Sequence, residues 1–392
     1  MAWARRNSWW VFALLCAALI TLYFTIPYLP SWQWQAASSQ SWVWTALAIS
    51  TVAAMTIGVA IQRPPAKSAW VLLTVGVALT AVSDLVREFP ELVGLRPGDI
   101  AFPSILDFLS LGSYILLFAG LLLLVRRQSP GHDRAAMLDA LIIATAAGLT
   151  SWMFIIEPKL SSSDLDATAS LVTTGYPLMD ILLLGAATRL WFAVDSGRNT
   201  SLRFLAITLI AVLASNTACA YVTISGEWTN GTAWDFGWFL FYVGLGVAAL
   251  HPSVSRPVTS TSPERSVNRW RFVLLLALMS ILPLLLLVSQ LTVEGDRQGL
   301  VIIVGALFMF GLVLLRLNDL VLQLRETLRR ERVIRDANGA LAAAADRATI
   351  RDTVVTAAAD LHPNTSSYVV ELRRNGSTGL VTQTVPPGRR FG

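Results

Sequence analysis

Apolar residues fall along this chain in ten long blocks separated by shorter polar connections, at residues 9–26, 42–61, 69–86, 105–125, 136–156, 170–194, 204–224, 234–250, 272–292 and 299–315. A run of roughly 17 to 25 mostly apolar residues crosses a bilayer as a helix. A helix suits the bilayer because it satisfies its own backbone hydrogen bonds where no water can. The pattern therefore predicts an all-α polytopic membrane protein with about ten transmembrane helices. After residue 315 the pattern turns charge-rich without a break. No Pro or helix-stopping Gly follows the tenth block, and Arg316, Asn318, Asp319, Arg325, Glu326, Arg329 and Arg330 continue in helix-forming sequence. The last span is expected to run on as one helix into the cytoplasm.

Within that extension Leu317, Val321, Leu324 and Leu328, then Ile334, Ala337, Leu341 and Ala344, keep the three-and-four spacing of a coiled-coil seam. Glu326 to Arg330 and Glu331 to Arg335 stand four apart, as helical ion pairs do. From Leu328 to Ile334 is six residues where seven would hold phase, a shift that strains a supercoil and lets two registers compete. A homodimer through the helix after residue 316 and a short amphipathic helix lying on its own domain both satisfy this spacing. Farther on, 349–361 has a second helical pattern, and 366–373 and 379–385, with Asn375 and Gly376 between them, read as two strands of a hairpin. Two strands are too few for a stable soluble domain, so residues 348–392 are expected to be the incomplete start of an α/β domain. The division read from the pattern is 1–315 for the membrane part, 316–347 for the helix and 348–392 for that partial domain.

Composition narrows the class. Hydrophobic residues make up 54% of the chain and charged ones 14%, with mean hydropathy +0.59, outside the range of one soluble domain. The net charge of +5 does not mark a nucleic-acid partner, because the basic residues sit at span ends, where topology accounts for them. With the N-terminus inside, the inner connections hold fourteen basic residues and the outer ones four, Arg87, Arg96, Lys159 and Arg297. That asymmetry places both termini in the cytoplasm. Arg exceeds Lys by 28 to 2, a composition that suits a GC-rich bacterial genome and hence an inner-membrane location. The first block is too long for a signal-peptide core and lacks a following A-x-A site, so it reads as a retained span. Trp9, Trp10, Trp32, Trp34, Trp42, Trp44, Trp70, Trp234, Trp238 and Trp270 fall near proposed water boundaries, as headgroup anchors do.

Cys16 and Cys219 lie inside apolar blocks and read as small buried residues. His132, His251 and His362 provide no pair within the membrane to hold haem or copper. No zinc-protease, P-loop or nucleophile-elbow pattern occurs. The expectation is no cofactor, no metal and no catalytic residue.

Polar residues inside the spans recur. Ser83 and Asp84, then Asp107 and Phe108, then Tyr114 are matched by Ser215 and Asn216, then Asp235 and Phe236, then Tyr242. Asp84 to Asp107 is 23 residues, Asn216 to Asp235 is 19, and each Asp precedes its Tyr by seven. Seven residues keep each pair on one helix face about 10 Å apart in depth. The copies begin four spans apart and so point the same way, unlike the inverted repeats of many transporters. Intramembrane carboxylates usually face the bundle interior or water, so these residues are candidates for a polar ligand or ion pocket open to the outside. An Asp in the first turn of a span also serves as a cap at the wet interface, and both readings stand. Asp180, after Pro177 in the middle of the sixth span, needs a partner inside the bundle.

Several stretches carry a family resemblance: RRQSPGHDRAAMLDALI from Arg126, GYPLMDILLL from Gly175, FYVGLGVAALHPS from Phe241, and RRERVIRDANGALAAAADRATIRDTVV from Arg329. The chain resembles the amino-terminal multi-span regions of actinobacterial cyclic-di-GMP signalling proteins, which continue into GAF and then GGDEF and often EAL domains. The resemblance implies that 329–355 leads into a GAF-like domain cut off within the chain. It transfers no catalytic residue, since neither a GGDEF nor an EAL motif is present. The expected function is a membrane sensory module relaying an extracytoplasmic or membrane signal to a cytoplasmic output. A ten-span secondary transporter of a small solute and a membrane scaffold without a ligand are the alternatives.

Overall fold

Lipid-compatible segments become helices of matching length: among the described residues, eight helices are long and apolar enough to cross a membrane. In a computed structural model, the described residues are 2–29, 36–96, 98–128, 134–162, 166–193, 199–225, 231–255, 296–343, 349–350, 353–354, 356–357, 370–374 and 377–381. The chain divides into two units, 1–314 and 315–392.

The first unit holds α1 (Ala2–Thr25), α2 (Ala36–Gln62), α3 (Lys67–Glu88), α4 (Ile105–Gln128), α5 (Arg134–Ser151), α6 (Glu157–Ser162), α7 (Ala167–Ala193), α8 (Thr200–Ser225), α9 (Asp235–Leu250) and the beginning of α10 (Asp296–Ala343). A π-helical segment, Trp152–Ile156, joins α5 to α6. Residues 157–162, expected to open an outer loop, are therefore helix; Pro158 follows directly on the π-helical segment, whose irregular turn accommodates a residue without an N–H. The expected eighth span is the short one, 16 residues in α9. The expected span at 272–292 lies outside the described residues.

Helix packing repeats. α3 lies on α4 and α8 on α9, while α2 lies on α3 and α7 on α8. The two groups interlock, because α2 also packs on α9 and α7 on α4. Small residues set the approach distances, as they do between membrane helices that gain no hydrophobic drive from lipid. A Cβ on Gly120 would stand 2.9 Å from the Ala69 carbonyl oxygen, and one on Gly237 would stand 2.6 Å from that of Ala211. Leu47, Met55, Trp70, Leu73, Leu121, Leu190, Phe239 and Leu245 belong to one buried cluster between these groups. α5 and α10 share a separate small cluster of Ile142, Leu312 and Val313.

The tryptophans divide into two sets. Trp42 and Trp234 are 57% and 52% exposed, as anchors should be, but Trp70 is 1% exposed. The anchor reading of Trp70 is corrected: its ring fills the core. That of Trp44 and Trp238 is corrected too, since both indole N–H groups bond polar side chains within the bundle.

In the second unit α10 continues to Ala343. Arg330 Nε donates to Glu326 Oε1 at 3.2 Å; the expected Glu331–Arg335 pair is not closed. Leu317, Val321, Leu324, Leu328 and Ile334 are exposed on this unit. The described residues among 349–357 are helical. Val370–Arg374 pairs antiparallel with Ser377–Val381, and Arg374 faces Ser377. That register leaves Asn375 and Gly376 between the paired ends, where the sequence predicts a two-residue turn. The outer parts of the two expected strands lie outside the described residues.

Candidate functional site: a cavity between two repeat copies

The last turn and a half of α3 carries Ser83, Asp84, Arg87 and Glu88, and the first turn of α4 carries Asp107. α8 carries Ser215 and Asn216 about two and a half turns before its end at Ser225, and α9 begins with Asp235. One bond joins each pair of helices in the same way. Ser83 Oγ donates to the Leu106 carbonyl at 3.2 Å and Ser215 Oγ to the Trp234 carbonyl at 2.7 Å, each the residue before the aspartate. A hydroxyl that a helix can hide among apolar neighbours thus fixes where the next helix starts.

The tyrosines then cross over. Tyr242 of the second copy donates its hydroxyl to Asp84 Oδ2 of the first at 2.6 Å. Asn216 Nδ2 of the second donates to the Tyr114 hydroxyl of the first at 2.8 Å. Each copy completes the other's polar position, which holds the two helix groups in register. Indoles add a second layer: Trp44 Nε1 reaches Asp84 Oδ2 at 3.2 Å and Trp238 Nε1 reaches Asn216 Oδ1 at 2.7 Å. Asp180 has its partner inside the bundle, as its depth requires, for Asn216 Nδ2 lies 2.9 Å from its Oδ1.

Asp107 and Asp235 serve as caps and also face the interior. Asp107 Oδ2 accepts from the Ser104 amide at 2.7 Å and the Ser104 hydroxyl at 3.0 Å, while Oδ1 accepts from Arg87 Nη2 at 2.7 Å and from the Tyr176 hydroxyl at 3.2 Å. Asp235 Oδ2 accepts from the Gly231 amide at 2.7 Å and from the Tyr23 hydroxyl at 3.0 Å. The two aspartates are only 3% and 1% exposed, so capping here takes place at buried helix starts.

These groups surround a cavity of about 500 Å³, within the size range of small-molecule sites. Asp84, Asp107, Tyr114, Asn216, Asp235 and Tyr242 line it; Asp180 reaches it through Asn216. Among the described residues no three His, Cys, Asp or Glu side chains converge as metal ligands. Sequence reasoning missed Arg87, Trp238, Tyr176, Trp44 and Tyr23, which also line the cavity. Three of them were signalled by helical spacing: Arg87 is three residues after Asp84, Trp238 three after Asp235, and Tyr176 four before Asp180, each on the candidate's own helix face. Tyr23 and Trp44 had no such signal, for they come from α1 and α2. The chain matches no protein-family model, no curated protein sequence and no solved structure.

Proposed function

We propose that this chain is a membrane sensory module that relays the occupancy of its buried cavity to a cytoplasmic output. The observation that carries the reading is α10, a single helix of 48 residues from Asp296 to Ala343, apolar in its first half and charged in its second. An unbroken helix transmits rotation or sliding along its axis, and the 28 residues from Arg316 to Ala343 extend about 40 Å at 1.5 Å per residue. Ligand acts only through a difference in affinity between two states of the bundle. The crossed bonds Tyr242 to Asp84 and Asn216 to Tyr114 supply groups whose exchange would distinguish such states. The excess of basic residues on one side supports a cavity end that faces outward and a charged half of α10 in the cytoplasm of a bacterial inner membrane. The exposed row Leu317, Val321, Leu324 and Leu328 suits a homodimer. The hairpin after it suits the start of a GAF-like domain, which makes cyclic-di-GMP turnover the favoured output.

Cysteine crosslinking in bacterial membranes tests this reading. Single cysteines at Leu317, Leu324 and Leu328 should link two copies of the chain, whereas cysteines at Arg325 and Arg329 should not. A reporter active only in the cytoplasm should work when fused after Val333. Absence of crosslinks at every seam position, or a reporter found on the outer side, overturns it. The Asp180–Asn216 bond deep in the bundle favours a secondary transporter as the second reading. Solute uptake by vesicles containing only this chain would decide for it.

A further inference from the structure

The balance of charge and aromatic surface in the cavity selects a class of ligand, and the selection rests on the sensory reading only for its biological meaning. Among the described residues, four carboxyl side chains line the space, Asp84, Glu88, Asp107 and Asp235, against one basic side chain, Arg87. Arg87 is engaged with Asp107 at 2.7 Å. Glu88 accepts from the Ser41 hydroxyl. Asp84 and Asp235 have no basic ion-pair partner among the described residues; Tyr242, Trp44, Tyr23 and the Gly231 amide are neutral donors. Both donors to Asp84 reach Oδ2, which leaves Oδ1 without a hydrogen bond on a half-buried side chain that lines the cavity.

Much of the remaining wall is aromatic, with the polar side chains of Gln40, Ser41, Thr80, Ser110, Ser113 and Asn216 between the rings. Tyr23, Trp44, Tyr114, Tyr176, Trp238 and Tyr242 all contribute, and the Trp44 and Trp238 rings meet edge to face with centroids 5.9 Å apart. Five of these rings already spend their N–H or O–H donors on protein groups: Tyr23, Trp44, Tyr176, Trp238 and Tyr242. A sugar or other neutral polyol would find few free donors there. An anion would meet excess carboxylate, and a divalent metal would find no cluster of ligands. What remains for a ligand is uncompensated negative charge beside π surface, the combination that attracts an ammonium carried on an apolar body.

We propose that the cavity binds a small organic ammonium ion, with Asp84 as its counter-ion and Trp44 and Trp238 as walls. Asn216 occupies the second-copy position equivalent to Asp84, so at this paired position only the first copy presents a carboxylate.

The full chain in phosphatidylglycerol nanodiscs, probed by its tryptophan fluorescence, tests this with choline and its neutral carbon isostere 3,3-dimethylbutan-1-ol. Choline should bind saturably and at least about tenfold more tightly than the isostere. Asp84→Asn, whose amide oxygen still accepts from Tyr242 and Trp44, should weaken choline at least about tenfold with the melting temperature held. Equal affinity for choline and isostere, or no saturable choline response, overturns the proposal on the wild-type chain whatever the variant does. An Asp84→Asn chain that melts normally and binds choline unchanged also overturns it. Repeating the titration in phosphatidylethanolamine nanodiscs separates the sources: an unchanged choline affinity assigns a water-borne amine, and a loss of about tenfold or more assigns a lipid ammonium headgroup. Choline binding that leaves the α10 crosslinks unaltered would count against sensing and leave the ammonium site standing. Crosslinks without choline binding would do the reverse.

Discussion

The two copies of the repeat share a frame and differ in charge. α3 with α4 and α8 with α9 are joined by the same serine-to-carbonyl bond and complete each other through a tyrosine. The first copy, however, places Asp84 where the second has Asn216, and backs Asp107 with Arg87 at 2.7 Å. Asp235 in the second copy is held by a backbone amide and a tyrosine. The serine-to-carbonyl bonds position helices, while the tyrosine bonds and the charges that differ between the copies face the cavity. A duplicated scaffold can therefore be kept for its packing while one copy takes up an additional carboxylate and its arginine.

The largest expected effect comes from forcing the packing of one copy onto the other. Gly237 follows Asp235 by two residues, where the first copy has Leu109 after Asp107. Gly237→Leu would drive a side chain into Ser215 and the Ala211 carbonyl and should destabilise the bundle by about 3 kcal/mol or more, read from thermal unfolding in detergent. Next, Arg87→Met leaves Asp107 buried with hydroxyl and amide donors only. The expected loss is about 2 kcal/mol, below the usual cost of breaking a fully buried pair because the Arg87 side chain is 37% exposed. Arg87→Met with Asp107→Asn should recover much of it, and a double-mutant cycle showing no coupling would refute the ion pair's role.

Exchanging the distinguishing residues sharpens the comparison. Asn216→Asp removes the donor that Tyr114 and Asp180 accept from and sets a second carboxyl beside Asp180, for an expected loss of about 2 kcal/mol. Asp84→Asn keeps an acceptor for Tyr242 and Trp44 and should cost less than about 1 kcal/mol. Equal losses would show that the copies are electrostatically equivalent after all. The smallest difference separates the tyrosines: Tyr242→Phe forfeits the Asp84 carboxyl, and Tyr114→Phe forfeits the Asn216 amide and the neighbouring Asp180 carboxyl, so each should cost about 1.5 kcal/mol in thermal unfolding.

Much of the site was legible because burying polar groups among apolar residues is expensive, so Asp84, Asp107, Asp180, Asn216 and Asp235 stand out against their spans. Helical spacing carried a further signal that the sequence reading left unused, for Arg87, Trp238 and Tyr176 lie on the candidates' own helix faces. Trp44 and Trp70 show the limit. An indole in an apolar block has the same sequence context whether it anchors at the headgroups, fills the core or donates into a cavity, and only neighbouring helices distinguish these places. The helical course of 157–162 was hidden in a similar way, since Pro158 reads as a breaker until the π-helical turn before it is known.

Hydropathy alone determined where lipid-compatible helices form, because a backbone in hydrocarbon must bond within its own segment. Sequence spacing likewise determined that the two copies run in the same direction. Which helix meets which was left to the tertiary structure. Spans that are apolar on every side carry no stripe naming a partner, and close packing through Gly120 and Gly237 settles the choice. Only that packing brings Tyr242 to Asp84 across 158 residues and Asn216 to Tyr114 across 102, and so turns separate polar residues into one cavity.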